Sequence, residues 1–462
     1  MNSRNTLSVA TAAIALSACA TPPADLSAAA EPAQAYRDAI PTSWQGIEQG
    51  YSVPVDWVEA FNDPLLSALV SEALSNNTDL TQAMARRDRA RAQLRASRSA
   101  LFPSLSFDSL GREASGFEGG SSSALYQGSL TVSYEIDLWG RLRHARDGDL
   151  LSLEAAEADL DGARRLIAAS VVEAYVAAIE AREQARVAEN TFEQLDQTLR
   201  FIEAQFERGL RSGRDIALIR ADVETSRSAI AAAKNAENDA LRALETLVGR
   251  YPDLSTELSE SLPVVPAAPG LGLPLDILAK RPDLVAAEAR FRASLLRADA
   301  ARTAQRPQFS LSAGINGSSA TFDDILDPSS WASAVTGSLA GPIFDAGQRR
   351  ANVDLADADV LEALSGYEAL LRDAFLEVES ALDEQDTLVE QDRAIGIALS
   401  EAEQAFRFTR FSYDNGEGDL LDVLSLQQRV ASLESDAVRI NRQRLEQYTA
   451  LSLSLGGRPV TR

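Results

Sequence analysis

Residues 130–138 read LTVSYEIDL: Leu130, Val132, Tyr134, Ile136 and Leu138 are apolar, and the four residues between them are Thr, Ser, Glu and Asp. Alternation with period two is the mark of a strand with one oily and one wet face. The next stretch of chain is of another kind. No proline interrupts residues 142–208, a run of 67 residues rich in Ala, Leu and Glu. That run predicts one helix ~100 Å long at ~1.5 Å per residue. Along it Ile167, Val171, Ala174, Ala178, Ala181, Ala185, Ala188, Phe192, Leu195, Leu199, Ile202 and Phe206 recur in steps of four and three, a sustained heptad seam.

The chain is written twice. Asp79 and Pro103 find counterparts 204 residues later in Asp283 and Pro307, and Gly140, Gly209, Asp215 and Gly249 find theirs 207 residues later in Gly347, Gly416, Asp422 and Gly456. The change of offset falls in a loop between two strand-like runs, where length is tolerated. Two repeats therefore span about 60–250 and 273–457, joined by a Pro-rich stretch at 251–272 and preceded by a segment at 19–59. Each repeat reads helix, strand, loop, strand, very long helix, Gly-rich turn, helix. The first has a helix at Leu80–Ala100 and strands at Pro103–Leu110 and Leu130–Leu138, around the loop GREASGFEGGSSS. In the second, Phe309, Leu311, Ala313 and Ile315 alternate with Ser, Ser, Gly and Asn, and a weaker strand runs from about Trp331 to Phe344. Its helix seam is broken by Gln385, Asp392 and Thr409.

The fold class is thus mainly α with a small β part: long antiparallel coiled-coil helices and four strands per chain. Strands of roughly ten residues are long enough to cross a bilayer at a tilt of ~45°. A membrane sheet must close, because unpaired edges in hydrocarbon cost several kcal/mol per group. Small barrels begin near eight strands, so one chain cannot close alone, while two chains supply eight and three supply twelve. In that setting Val132, Tyr134 and Ile136 face lipid, and Thr131, Ser133, Glu135 and Asp137 face water. Phe102, Trp139, Trp331 and Phe344 lie near strand ends, as interfacial belts do. A small soluble sandwich is the competing reading of the same strands.

Composition excludes other classes. Lys and Arg number 44 against 68 Asp and Glu, a net charge of −24, the wrong sign for a nucleic-acid partner. The one histidine is His144, and no nucleophile elbow, phosphate loop or metal-ligand spacing accompanies it. DNGEGD at 414–419 lacks EF-hand spacing. No enzyme activity, metal or cofactor is expected. Residues 1–18 have the layout of a secretory signal and end in Leu16-Ser17-Ala18 before Cys19, the single cysteine. These four residues resemble the lipobox of bacterial lipoproteins. The resemblance implies cleavage before Cys19 and a covalent lipid (palmitate) on it. Ala20 in place of Asp implies delivery to the outer membrane.

The segments DWVEAFNDPLLSALVSEALSNNTDL, YEIDLWGRLR, RPDLVAAEARFRA, GPIFDAGQRRANV and DLLDVLSLQQR, in this order, make the chain resemble the TolC-like outer-membrane factors, and within them the NodT-like lipoproteins. The resemblance implies a homotrimer with a twelve-stranded transmembrane β-barrel, continued by an α-helical barrel into the periplasm. It implies an exit duct for small molecules in a tripartite efflux pump, with a periplasmic adaptor (membrane fusion) protein and an inner-membrane RND pump as partners. An exit duct for secreted protein shares the fold, and a barrel-less coiled-coil lipoprotein is the other alternative. At the family's closed periplasmic tip an acidic pair lines the channel. Here Asp422 matches the first acid and Ser425 replaces the second. Leu421 and Asp422 are the expected gate, with Arg211, Arg214 and Arg410 as its contacts.

Overall fold

The computed structural model describes residues 57–114, 123–267 and 280–459; Cys19 and the signal segment lie outside them. In chain order the main elements are α1 (Pro64–Asn76), α2 (Thr78–Ser99), β1 (Ser104–Ala114), β2 (Ser123–Ile136), α3 (Arg141–Glu207) and α4 (Gly213–Val248). They continue with α5 (Pro282–Thr303), β3 (Gln308–Ser319), β4 (Trp331–Ala340), α6 (Gln348–Asp414) and α7 (Leu420–Ser454). No described helix is long and apolar enough to cross a membrane.

The duplication is visible in the backbone. Among the described residues every glycine with positive φ belongs to one of three pairs 207 apart: Gly140 and Gly347 (82° and 90°), Gly209 and Gly416 (76° and 84°), Gly249 and Gly456 (92° and 75°). The first pair precedes the long helices, the second ends them, and the third ends the returning helices. A left-handed residue at such ends is cheap only for glycine. α3 and α6, bounded by equivalent glycines, are both 67 residues long.

Spatially the chain divides across the repeats, not along them: of the described residues, 85–114, 123–158 and 284–370 belong to one compact unit, and 57–84, 159–267, 280–283 and 371–459 to another. The first unit holds one four-stranded antiparallel sheet in the order β1-β2-β3-β4. No second sheet faces it among the described residues, so the sandwich reading fails. Among the described residues β1 and β4 are free edges. Register places Val132 opposite Leu105 and Ala313, Leu130 opposite Phe107 and Ile315, Tyr134 opposite Leu311, and Ile136 opposite Phe309. Ala313 in turn faces Val335, and Phe309 faces Leu339. Val132, Tyr134 and Ile136 therefore share one apolar face with residues of all four strands. Leu105, Phe107, Leu130, Val132, Leu311, Ile315, Val335 and Leu339 are all exposed on it. The other face carries Ser, Thr and Ala, with the Ser310 and Ser338 hydroxyls 2.6 Å apart.

Several strand bounds differ from expectation. β4 ends at Ala340, short of the expected Phe344, where Gly341 and Pro342 follow and proline cannot donate to the ladder. β1 and β2 extend into the loop, through GREA at one side and from Ser123 at the other. At its other end β2 stops at Ile136. Asp137 is not a water-facing strand residue: its carboxylate accepts the Leu142 and Arg143 N–H groups at 3.2 and 3.0 Å and starts α3. Those donors have no partner inside the helix, and an acid satisfies both them and the helix dipole. Glu135 is also occupied, holding Arg141 through both oxygens at 2.8 Å. In the same unit α3 packs on α5 through Ala155, Ala286 and Ala289, small residues that let helices approach closely.

In the second unit the α3 seam is buried at Ile167, Val171, Ala178, Ala185, Leu195 and Ile202, while Phe206, in the last turn, is 45% exposed. A second stripe that the heptad count omitted, Ala168, Val172, Tyr175, Val176 and Ile179, is buried as deeply. α3 meets additional partners there: Trp57, Phe61, Leu66 and Val70 on one side, Leu258 and Leu262 beyond α4 on another. Asp63 joins them, capping α1 through Leu65 and Leu66 N–H while accepting from the Tyr175 hydroxyl at 2.7 Å. One polar interruption of the α6 seam has a partner too: Asp392 pairs with Arg444 of α7 at 2.5 Å.

Candidate functional site

One end of the helical unit is built from two corners. α3 ends before Gly209, and α4 begins at a reciprocal capping box in which Ser212 and Asp215 satisfy each other's backbone N–H. α6 ends before Gly416, and Asp419 caps α7 by accepting from Leu421 N–H at 3.2 Å. Between the corners Leu195, Ile202, Ile219, Val223, Tyr413, Leu420 and Val423 form a buried core. Tyr413 is its polar member. The Arg211 guanidinium lies 4.2 Å from its ring centroid, Phe201 meets it edge-on at 6.3 Å, and its hydroxyl has no partner among the described residues. Burial pushes the Tyr413 pKa up.

Asp422 stands in the first turn of α7, exposed and without an ion pair among the described residues. Asp419, not Asp422, does the capping. The three arginines expected to compensate Asp422 do not pair with it within the chain. Arg211 stacks on Tyr413; Arg410 contacts the Thr198 hydroxyl at 3.3 Å and Asp414 at 3.4 Å; Arg214 is exposed without an ion pair among the described residues. Ser425 turns its hydroxyl back to the Asp422 carbonyl at 3.0 Å, so no second carboxylate supports the first. Leu421 is 44% exposed and lines a groove.

That groove, about 670 Å³ in volume, runs between α3, α4 and α7. Val187, Ala188 and Leu195 form one wall, Leu218, Asp222 and Ala229 the second, Leu421, Leu424 and Gln427 the third. Gln184 and Ser435 line it too and lock to each other, Ser435 Oγ donating to Gln184 Oε1 at 2.7 Å and Gln184 Nε2 to the Ser435 carbonyl at 3.0 Å. Gln427 is 3% exposed, and among the described residues neither its carbonyl oxygen nor its amide nitrogen has a partner. A buried amide is nearly always hydrogen-bonded, so one that is not calls for an explanation. Burial also raises the Asp222 pKa. Sequence reasoning passed over Gln427. Its signal was its place seven residues after Leu420, a polar side chain at a seam position. His144, by contrast, merely begins α3, its N–H donating to the Gly140 carbonyl at 2.8 Å.

Comparison with known proteins agrees with this architecture. A family model described as outer membrane efflux protein matches residues 69–250 and 273–457. The pyoverdine export outer membrane protein OpmQ of Pseudomonas putida is 29% identical over 91% of this chain and 92% of its own. The cation efflux system protein CusC of Escherichia coli O6:H1 is 30% identical over 87% and 88%. Among solved structures, the open state of the Neisseria gonorrhoeae MtrE outer membrane channel superposes with a TM-score of 0.81 at 26% identity, over 91% of this chain and 96% of that one. With both repeats matched by the family model, the chain belongs to the outer membrane efflux protein family.

Proposed function

We propose that three copies of this outer-membrane efflux channel join their sheets edge to edge into a twelve-stranded barrel and their helices into a periplasmic tunnel. The observation that carries the proposal is the sheet, which has two unpaired edges and an apolar face exposed on every strand. β1 and β4 run antiparallel to each other, so β4 of one copy can continue the alternation on β1 of the next. Closure removes the edges that hydrocarbon would penalise. The Ser- and Thr-rich face then lines the pore, and Val132, Tyr134 and Ile136 meet lipid. From the likeness to a pyoverdine exporter and a cation efflux protein, we infer small cargo rather than secreted protein. The lipid anchor is Cys19.

The pump-facing end is the pair of corners at Gly209 and Gly416. Three copies of Asp422 around the axis make a ring of unpaired negative charge beside Leu421, and the adaptor protein of an inner-membrane pump docks in the groove lined by Gln427. Like charges in a closed ring repel, so a partner that spreads them has a bistable element to act on. Arg214, without an ion pair among the described residues, is a cation available to hold the ring shut across copies. Planar-bilayer conductance tests the reading: Asp422→Ala should lower cation preference, and Leu421→Ala should raise resting conductance. Parent-like behaviour of both variants, with trimers intact on native gels, refutes the gate. Absence of any conductance step from the parent refutes the channel. Palmitate labelling that survives Cys19→Ala refutes the anchor.

A further inference from the structure

All four connections between sheet and helices leave from one end: β1 and β3 begin there, and β2 and β4 finish there. That rim is basic in a chain whose net charge is −24. Its acids are taken. Glu135 holds Arg141, Asp137 holds Arg143 at 3.1 Å, Asp147 holds Arg146 at 2.6 Å, and Asp345 lies 3.5 Å from Arg349. Arg98, Arg306 and Arg350 are exposed there and form no ion pair among the described residues. The opposite end differs in sign: residues 320–330, between β3 and β4, contain Asp323, Asp324 and Asp327 and no basic residue.

The basic rim is also where the apolar face stops. From Phe309 to Gly317 the face runs nine residues along β3, eight steps of ~3.4 Å or about 27 Å, the scale of the apolar band on an outer-membrane barrel. Beyond its Phe309 end the rim exposes Phe102, Trp139, Ile343 and Phe344. Trp139 is held in place, its indole N–H donating to the Pro307 carbonyl at 2.7 Å, and the Arg306 guanidinium lies 5.0 Å from its ring centroid. Aromatic bodies with cationic heads beside an apolar band suit the boundary between acyl chains and headgroups. A guanidinium fork matches the oxygens of a phosphate.

We propose that this rim binds the headgroups of anionic phospholipids, with Arg98, Arg306 and Arg350 on the phosphate groups and the neighbouring aromatics beneath them. The inference rests on the sheet being the membrane-spanning wall. The full-length trimer, reconstituted with equal amounts of phosphatidylglycerol and phosphatidylcholine, is stripped by detergent and its retained lipids are counted by native mass spectrometry. The parent should retain phosphatidylglycerol in several-fold excess. The triple variant Arg98→Gln, Arg306→Gln, Arg350→Gln should retain the two lipids nearly equally, since one basic side chain at an anionic surface is worth roughly five-fold. Equal retention by the parent, or an undiminished preference in the variant, overturns the inference. A variant that falls to monomers yet keeps the preference also overturns it, and assigns the arginines to contacts between copies. Flotation with vesicles of the same two lipids separates the premises. A parent that does not float refutes the membrane wall; one that floats without preference refutes only the headgroup site.

Discussion

Replacing Gln427 by Leu should make the free channel more stable and a worse partner for the adaptor proposed to dock in its groove. The side chain is 3% exposed, with both amide atoms unpaired. A buried polar group left without a partner costs ~1–3 kcal/mol, while an apolar group of the same shape carries no such cost. Taking the lower half of that range for each of two atoms, the substitution should stabilise by about 2–4 kcal/mol. Docking reverses the sign. A partner helix that offers one donor and one acceptor gains two hydrogen bonds worth ~0.5–1.5 kcal/mol each, so the variant should bind about 5- to 150-fold more weakly. Two measurements are needed: the heat-dissociation midpoint of the trimer in detergent, and the affinity for the purified adaptor. A variant less stable than its parent would mean that the amide is satisfied in the free protein. A stabilised variant with unchanged adaptor affinity would remove the groove from the docking surface.

Gly456→Ala and Gly416→Ala form a useful contrast, each at a helix end where the glycine has positive φ. Both place a side chain on a left-handed backbone, at ~1–2 kcal/mol, but an added Cβ meets Lys280 Cβ at 2.8 Å at Gly456 and nothing within 4 Å at Gly416. Gly456→Ala should therefore lose a further ~1–3 kcal/mol by overpacking; equal loss of trimer stability in both would contradict the local geometry. Val132→Arg should cost up to ~2–4 kcal/mol near the bilayer midplane while Ser133→Arg stays mild, and spin labels at the two sites should report lipid and water respectively. Burial raises the pKa values of Glu173 and Glu446, and each is raised further by a nearby carboxylate, Glu446 for the first and Glu180 for the second, with Arg442 opposing at Glu446. The folded state thus holds protons that the unfolded chain releases above about 4.5. Stability is full below that value and is lost as pH climbs through the raised values. Glu173→Gln should raise the heat-dissociation midpoint at pH 8 and leave it nearly unchanged at pH 4, below the ordinary carboxylate value; a pH-independent effect would rule the carboxylate out as its source.

Much of this architecture was legible because it rests on periodicity. Period two in β2 and β3, the heptad steps of α3, and glycines recurring at 207 are local patterns, and each leaves its trace in the order of residues. Strand ends were less legible. Asp137 continues the alternation of β2 perfectly well, and only the need of α3 for a carboxylate at its start takes it out of the strand. The second buried stripe of α3 was hidden for a different reason: a heptad count registers one partner, and Tyr175 and Ile179 answer to others far away in sequence. The tip was legible in place but not in pairing. Gly209 and Gly416 mark the corners, yet no spacing rule says that Arg211 will prefer the ring of Tyr413, or Arg410 the carboxylate of Asp414, to Asp422. Gln427 was missed because polar residues are common on helices, and its burial depends on three helices from both repeats.

The equal length of α3 and α6 makes the protein a ruler with linked graduations. Removing one heptad from α3 alone would shorten one hairpin by about 10.5 Å at ~1.5 Å per residue and carry its corner out of level with its neighbour's. The Tyr413 core would be pulled apart at the same stroke. The same seven residues would have to leave α4, α6 and α7 before the corners met again. The reach of such a duct can therefore change only in whole heptads and only in all four helices together. Duplication, which built the two repeats, is also what obliges them to keep the same measure.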